Sequence, residues 1–395
     1  MKDGGKKSLA VLGATGSIGR SVLDIAGRYP DQYDIAVLAA HHNAEALAEL
    51  ALRHRPRHVV LTGSDAFPLL QSRLSGTQIR LHQGDASLLS CLDEDIDLTV
   101  NGISGIAGLL PSLRVLENGG TLAIANKESL VAAGTLIKET CRLHNGVILP
   151  TDSEHNAIFQ VWRDQHVKAI KHIVLTASGG PFLSTPIEDF PHITAEQALR
   201  HPRWSMGPKI SIDSATMMNK GLEIIEACVL FDLPEHQVEV RVHPQSVIHG
   251  MITYSDGSTV AQLGPADMRV PLSYVLAWPD RLPWLEDSED TDDHPVLDFS
   301  QLDFLPLDSV RFPSVELARQ AWRQGGLAPC IMNAANEVAV SAFLQHRIGF
   351  MDIIASIEHA LSVMSVGSEI SLESVLDAND KAMAVTRSWI AKKGK

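Results

Sequence analysis

The chain has 395 residues, 45% apolar and 20% charged, enough for two or three domains that each bury a core. Its 33 basic side chains against 47 acidic ones leave a formal charge of −14. That balance excludes a nucleic-acid or anionic-membrane surface as the main binding face, while leaving room for a local basic pocket. The four cysteines, Cys91, Cys141, Cys228 and Cys330, are scattered without a CxxC pair, so they read as reduced thiols, neither a disulfide framework nor a zinc site. The N-terminus offers no signal-type apolar stretch, and nowhere do roughly 18 apolar residues run together. A cytoplasmic protein with no membrane span is expected.

Residues 8–125 alternate strand-like runs (Ser8–Leu12, Ile35–Ala39, His58–Leu61, Leu98–Val100, Thr121–Ile124) with helical patterns (Ser17–Arg28, Ala44–Arg53, Gly108–Asn118). This βαβ rhythm predicts an α/β domain built on a Rossmann-like, doubly wound parallel sheet with helices on both faces. Its first βα turn is Gly13-Ala14-Thr15-Gly16-Ser17-Ile18-Gly19. Glycines there permit a tight turn and let the N–H groups at Thr15, Gly16, Ser17 and Ile18 approach a pyrophosphate at the helix N-terminus. The GxxGxxG spacing is a variant of the stricter fingerprint, and such a turn alone can be merely structural, but its position near the N-terminus and the βαβ rhythm behind it favour the nucleotide reading. The second strand ends Ala39-Ala40-His41-His42-Asn43 without the acid that NAD-binding chains place there. The absence favours NADP, with His41 and His42 either donors to the 2′-phosphate or ordinary surface histidines.

From about Pro150 the texture changes to longer strands (Ile173–Thr176, Val247–Met251, Thr259–Leu263) mixed with helices, an α+β domain that carries the chemistry. Residues 282–311 are rich in Pro and Asp, including Pro283, Asp287, Glu289, Asp290, Asp292, Asp293, Pro295 and Pro306, and form a solvated connector. A C-terminal helical domain follows, with helices over Val315–Arg323, Ala334–His346 and Ile353–Met364. The expected divisions are 1–151, 152–281, 282–311 and 312–395.

Asp152 and Glu154 alternate by two, so on an extended segment both face one side. Glu223, on a helix after the Ser214 turn, makes a third carboxylate, and three carboxylates suit a hard divalent cation. Glu226, one helical turn on, is a rival third ligand, and His155 is either a ligand or a support behind one. An isolated Asp-x-Glu pair is more often a pair of solvated loop charges. Its place at the end of the first domain, near the crevice at the strand C-termini, favours the metal. Ser178-Gly179-Gly180-Pro181 offers a hydroxyl and N–H groups to an anion, or is simply a turn. Ser214, Asn219 and Lys220 together suit a phosphate. His201-Pro202-Arg203-Trp204-Ser205-Met206-Gly207 lacks helical periodicity; Trp204 and Met206 in such a loop suit a lid over a ligand, or a loop packed on its own domain.

These motifs, with Ala125-Asn126-Lys127-Glu128-Ser129-Leu130, Ala177–Phe182, Asp213–Glu223 and Asn333-Ala334-Ala335-Asn336-Glu337, occur in an order that resembles the 1-deoxy-D-xylulose 5-phosphate reductoisomerase family over nearly the whole chain. The resemblance implies conversion of 1-deoxy-D-xylulose 5-phosphate to 2-C-methyl-D-erythritol 4-phosphate in isoprenoid precursor biosynthesis, by retro-aldol and aldol steps or a direct ketol shift, then reduction by NADPH. It implies Mg²⁺ or Mn²⁺, one per site, on Asp152, Glu154 and Glu223, and catalytic roles for Lys127, Ser153, Glu154, His201 and Lys220. The substrate would be held by Ser153, Ser178, His201, Trp204, Met206, Ser214, Asn219 and Lys220. NADPH would be held by Thr15, Gly16, Ser17, Ile18, His41, His42, Asn43, Asn126, Glu128 and Gly207. A homodimer is implied as well. The chain departs from many relatives at His41-His42, where a Gly-Lys-type pair is usual. Two other readings compete: an NADP-dependent dehydrogenase of a non-phosphorylated alcohol, and a nucleotide sensor without turnover.

Overall fold

The computed structural model describes residues 5–204, 206–283 and 297–393. Ser205 of the expected lid and most of the acidic connector, including Asp287, Glu289, Asp290, Asp292, Asp293 and Pro295, lie outside the described residues. Contacts group the chain into two units, one within 1–126, 137–152 and 268–295, the other within 127–136, 153–267 and 296–395.

The first unit is built on a seven-stranded sheet in the order β4-β3-β2-β1-β5-β6-β7. Its strands are β1 (Lys7–Leu12), β2 (Tyr33–Ala40), β3 (His58–Leu61), β4 (Arg80–Gln83), β5 (Leu98–Asn101), β6 (Thr121–Ile124) and β7 (Val147–Pro150), all paired in parallel. Central strands covered by helices on both faces lose the polar alternation of a half-exposed strand, and Leu9 through Leu12 and Val59 through Leu61 are accordingly buried without interruption. Strands β4 and β7 escape the sequence pattern because they are edge strands. Arg80-Leu81-His82-Gln83 has one apolar residue in four, and Pro150, lacking an N–H, closes β7 where no further ladder needs it. The strand order reverses between β1 and β5, the place where doubly wound sheets open a crevice at their C-terminal ends.

The second unit has a mixed five-stranded sheet, β11-β10-β8-β9-β12. Strand β8 (Ile170–Ala177) runs parallel to β9 (Val238–Val242) and antiparallel to β10 (Ile248–Tyr254), with β11 (Thr259–Leu263) and the short β12 (Leu305–Pro306) at the edges. The helix Ala328–Leu344 is buried nearly all round and packs against the helices Ser314–Gln324, Phe350–Val363 and Leu372–Lys393 and against Pro208–Ala215. The C-terminal helices therefore share a core with the segment expected to carry the chemistry. The last helix buries a stripe of Val375, Ala378, Asn379, Ala382, Thr386 and Ile390. Two polar and two small residues in that stripe dilute its apolar period. Among the described residues no helix is long and apolar enough to cross a membrane.

The helix Lys127–Leu143 has a break in its dihedrals at Ala133 (φ −140°, ψ 30°). One residue later, a Cβ on Gly134 would lie 2.4 Å from a methyl of Val229, a β-branched side chain with little rotameric freedom. Alanine elsewhere in a helix gains about 1 kcal/mol over glycine; here overpacking wins, at about 1–3 kcal/mol. Gly134→Ala is expected to lower the thermal midpoint in calorimetry, and an unchanged or raised midpoint would show that the two helices are not in this close contact.

Candidate active site

The nucleotide-type turn joins β1 to the helix Ser17–Arg28. Gly13 has φ +73°, and a Cβ there would lie 2.5 Å from the Gly102 carbonyl oxygen; one on Gly19 would lie 2.5 Å from the Ala14 Cα. These two glycines are required by the protein's own packing. Gly16 is different, since a Cβ would meet only the Gly13 carbonyl oxygen, at 3.3 Å. Gly16 also stands at the N-cap with no side chain capping the helix, so N–H groups there remain available to an anion. At the end of β2, His41 Nδ1 pairs with Thr62 Oγ1 at 2.7 Å and its ring lies 3.7 Å from that of His42; both residues are exposed. Asn43 caps the helix Ala44–His54, accepting from the Ala46 N–H at 3.0 Å, and Asn126 donates to the Gly105 carbonyl at 2.8 Å and to that of Ile103. The other two residues expected at the cofactor, Glu128 and Gly207, belong to the second unit.

Asp152 and Glu154 do not lie on an extended segment as expected. Asp152 is the junction residue, and Ser153 opens the helix Ser153–Val161 with Glu154 in its first turn, where an acid also suits the helix dipole. Glu223 comes from the helix Met218–Phe231, as expected. One carboxylate oxygen from each of Asp152, Glu154 and Glu223 lies within 4.8 Å of the others. Glu226 falls in a separate group with Asp152 and His155. His155 Nε2 bonds the Glu223 carbonyl at 2.9 Å, a support for that helix, and its Nδ1 faces Glu226 at 3.5 Å.

Like charges so close require compensation. Lys220, 3% exposed, donates to Glu154 Oε1 at 2.8 Å and to Glu223 Oε2, while Glu223 is fully buried. Burial opposes the Lys220 charge, but Glu154 and Glu223 outweigh it and hold the ammonium above the ordinary lysine range. Removing one partner of such a buried ion pair costs about 3–5 kcal/mol. Lys127 adds a second cation, 3.6 Å from Glu223 Oε1 and donating to Asn219 Oδ1 at 2.8 Å. Ser153 Oγ donates to Glu154 Oε2, and Asn219 Nδ2 to Glu223 Oε1. Asn219 and Lys220, expected at a phosphate, turn to the carboxylates because their own helix places them one turn before Glu223. An ammonium already bridging two of three converging carboxylates marks a place where a divalent cation fits, by charge and by all-oxygen donor set.

In the same unit, the turn Ser178-Gly179-Gly180 approaches Ser214. Gly180 has φ +67°, and a Cβ there would lie 2.7 Å from the Ser214 carbonyl oxygen. His201 Nδ1 accepts from the backbone N–H groups of Arg203 (3.2 Å) and Trp204 (2.9 Å). The ring proton therefore sits on Nε2, which donates to Ser178 Oγ at 2.9 Å. Ser178 Oγ also accepts from the Gly180 N–H at 3.2 Å, which leaves its one hydrogen for an incoming acceptor. Trp204 meets His249 edge-on, with ring centroids 6.1 Å apart. Buried His249, donating from Nε2 to the Gly264 carbonyl at 3.1 Å, escapes the sequence reading because no spacing motif surrounds it. Lys209 escapes it too. It joins Glu128 (2.7 Å) to Asp213 (2.8 Å), and Asn336 donates to Asp213 at 2.8 Å. Met206 is half-buried.

Comparison with known proteins decides the family. The family models for 1-deoxy-D-xylulose 5-phosphate reductoisomerase match residues 9–134, and those for its C-terminal domains match 148–231 and 263–385. The reductoisomerase of Acinetobacter baumannii (strain ACICU) is 44% identical, over 98% of this chain and 99% of that protein. The chain belongs to this family. The reductoisomerase of Pseudomonas aeruginosa (strain UCBPP-PA14) is 46% identical over 97% of this chain and 98% of its own. Among solved structures, the Zymomonas mobilis enzyme in complex with NADPH superposes with TM-score 0.90 at 41% identity, over 98% of this chain and 99% of that one. A reductoisomerase in complex with NADPH, fosmidomycin and magnesium superposes with TM-score 0.91 at 39% identity, over 98% of each chain.

Burial, only partly offset by Glu154, holds His201 below the ordinary histidine value. The unfolded loop takes up a proton first, so the His201 contacts contribute fully above about pH 6.5 and are lost as pH falls through that value toward the lowered one. Ring NMR of the free protein is expected to show His201 titrating below about 6.5; a midpoint at or above it would contradict the burial of the His201 ring.

Proposed function

We propose that the chain catalyses the NADPH-dependent, divalent-cation-dependent rearrangement and reduction of 1-deoxy-D-xylulose 5-phosphate to 2-C-methyl-D-erythritol 4-phosphate. The observation that carries this reading is the convergence of Asp152, Glu154 and Glu223, the two glutamates bridged by Lys220, in a member of the reductoisomerase family. A bound divalent cation supplies Lewis acidity toward the ketone and its neighbouring hydroxyl, and NADPH supplies the hydride.

The chain's own residues are assigned the remaining work. Asp152, Glu154 and Glu223 hold the cation, with Lys127 and Asn219 fixing the Glu223 carboxylate. Lys220 and Ser153, on Glu154, are placed to hold or pass a proton at a substrate hydroxyl. Ser178, with its spare hydroxyl hydrogen, and Ser214, against the Gly180 turn, receive the phosphate. Binding that group away from the reacting carbons gives the energy to bring Trp204 and Met206 over the substrate and exclude water. A dehydrogenase of a non-phosphorylated alcohol has no use for the Ser178–His201 arrangement, and a sensor has none for three converging carboxylates. Thr15, Gly16, Ser17 and Ile18 are assigned to the cofactor pyrophosphate, His41 and His42 to its 2′-phosphate. The metal is proposed to be Mg²⁺ or Mn²⁺, since oxygen ligands accept both, and the location the cytoplasm. A homodimer is supported by β11, an edge strand with Val260 and Leu263 exposed.

Loss of NADPH absorbance with 1-deoxy-D-xylulose 5-phosphate tests the reading. Oxidation is expected with Mn²⁺, to stop on adding chelator, and to be much slower with NADH. Bound NADPH without oxidation would overturn it. Asp152→Asn and Glu223→Gln are each expected to abolish turnover through the metal. Near-normal rates for both at saturating Mn²⁺ would refute the ligand assignment.

A further inference from the structure

Outside the site just described, the outer edge of the first unit gathers a second set of metal-binding side chains. His58 opens β3 and His82 sits in β4; since Val60 pairs with His82, the two histidines lie on one face of the sheet by the two-residue period of a strand. The helix Asp85–Cys91 packs on those strands and ends in Cys91. His58 and Cys91 are each 4% exposed. His58 Nδ1 lies 2.9 Å from His82 Nε2, with the rings stacked at 5.1 Å, and one nitrogen of each histidine and the Cys91 thiol lie within 4.8 Å of one another. On its other side, His58 Nε2 lies 2.7 Å from Glu94 Oε1.

We propose that His58, His82 and Cys91 form a site for a thiolate-binding divalent cation of the zinc type, with Glu94 orienting His58. Two imidazoles and a thiol are the donors that zinc prefers and that Mg²⁺ does not. A carboxylate against the outer nitrogen of a ligating histidine is the usual support of such a site, fixing the tautomer that presents the other nitrogen to the metal. A thiol gives up its proton to bind such an ion and the His82 proton moves from Nε2 to Nδ1, so affinity rises with pH. The opposing charges are Arg57, 3.7 Å from Glu94, and Arg80, 4.0 Å from it. Histidine 58 stands at the N-terminal end of its strand, whereas the nucleotide turn follows the C-terminal end of β1. The ion's effect is thus to tie the edge strand β4 and its helix to β3, not to enter the reaction. The sequence shows no zinc spacing because the ligands come from two strands and a helix that only the fold brings together.

The test is a Co²⁺ titration of the full chain with Mg²⁺ in excess to hold the all-oxygen site. Expected is the charge-transfer absorption of a cobalt–thiolate bond, saturating at one equivalent, displaced by Zn²⁺ and absent from Cys91→Ser. The carboxylate site cannot produce that band. Glu94→Gln is expected to weaken binding about 10–100-fold, His82→Gln to remove the band, and Zn²⁺ to raise the thermal midpoint of the wild type but not of Cys91→Ser. Unchanged NADPH oxidation by Cys91→Ser shows that this variant is folded. No thiolate band in the wild type, or a band that survives Cys91→Ser, would overturn the proposal.

Discussion

Three carboxylates within 4.8 Å of one another cannot remain charged in a buried place without positive charge among them, and the second unit is arranged around that requirement. Two unit charges 4 Å apart interact by about 4 kcal/mol at an effective dielectric of 20, so repulsion on this scale between Glu154 and Glu223 would destabilise the site. Lys220 prevents it by bridging the two, with Lys127 behind. The helix Met218–Phe231 supplies Asn219, Lys220 and Glu223 from successive turns of one face, so the cation and the carboxylate it neutralises are set by a single rigid element. The same arithmetic makes the place attractive to a dication, whose greater charge competes with an ammonium for the same oxygens.

A further set of charges, a half-buried lysine between two buried carboxylates, holds the helix that follows the expected lid. Lys209 stands in the first turn of Pro208–Ala215, between Glu128 and Asp213. Burial disfavours its charge, yet the two carboxylates outweigh that and keep Lys209 above the ordinary lysine range. Asn336, from a helix with hardly any exposed residue, reaches Asp213 from the far side. The conspicuous Asn333-Ala334-Ala335-Asn336-Glu337 run thus has a structural use. Its small alanines let the helix bury itself, and its amides satisfy polar groups that burial would otherwise leave costly.

The central strands and most amphipathic helices were legible in the sequence because burial against one or two faces imposes a period. His58–Leu61 and Thr121–Ile124 appear with the bounds expected, and Ser17–Arg28 likewise. Edge strands such as Arg80–Gln83 were not, since exposure removes the apolar signal. The residue types around the metal were legible, but their backbone was not. Asp152-x-Glu154 spacing suits a strand, and only the structure shows that Ser153 begins a helix. Contacts that depend on distant segments, such as Trp204 with His249 or Lys209 with Glu128, carry no local spacing and emerge only from the fold.

Anomalous scattering from crystals of the protein grown with Mn²⁺ tests the central claim most directly, because two carboxylate groups share Asp152. The account requires the manganese peak against the oxygens of Asp152, Glu154 and Glu223, with the Lys220 ammonium displaced from between the two glutamates. A peak seated between Asp152, His155 and Glu226, or none on any of these carboxylates, would contradict it.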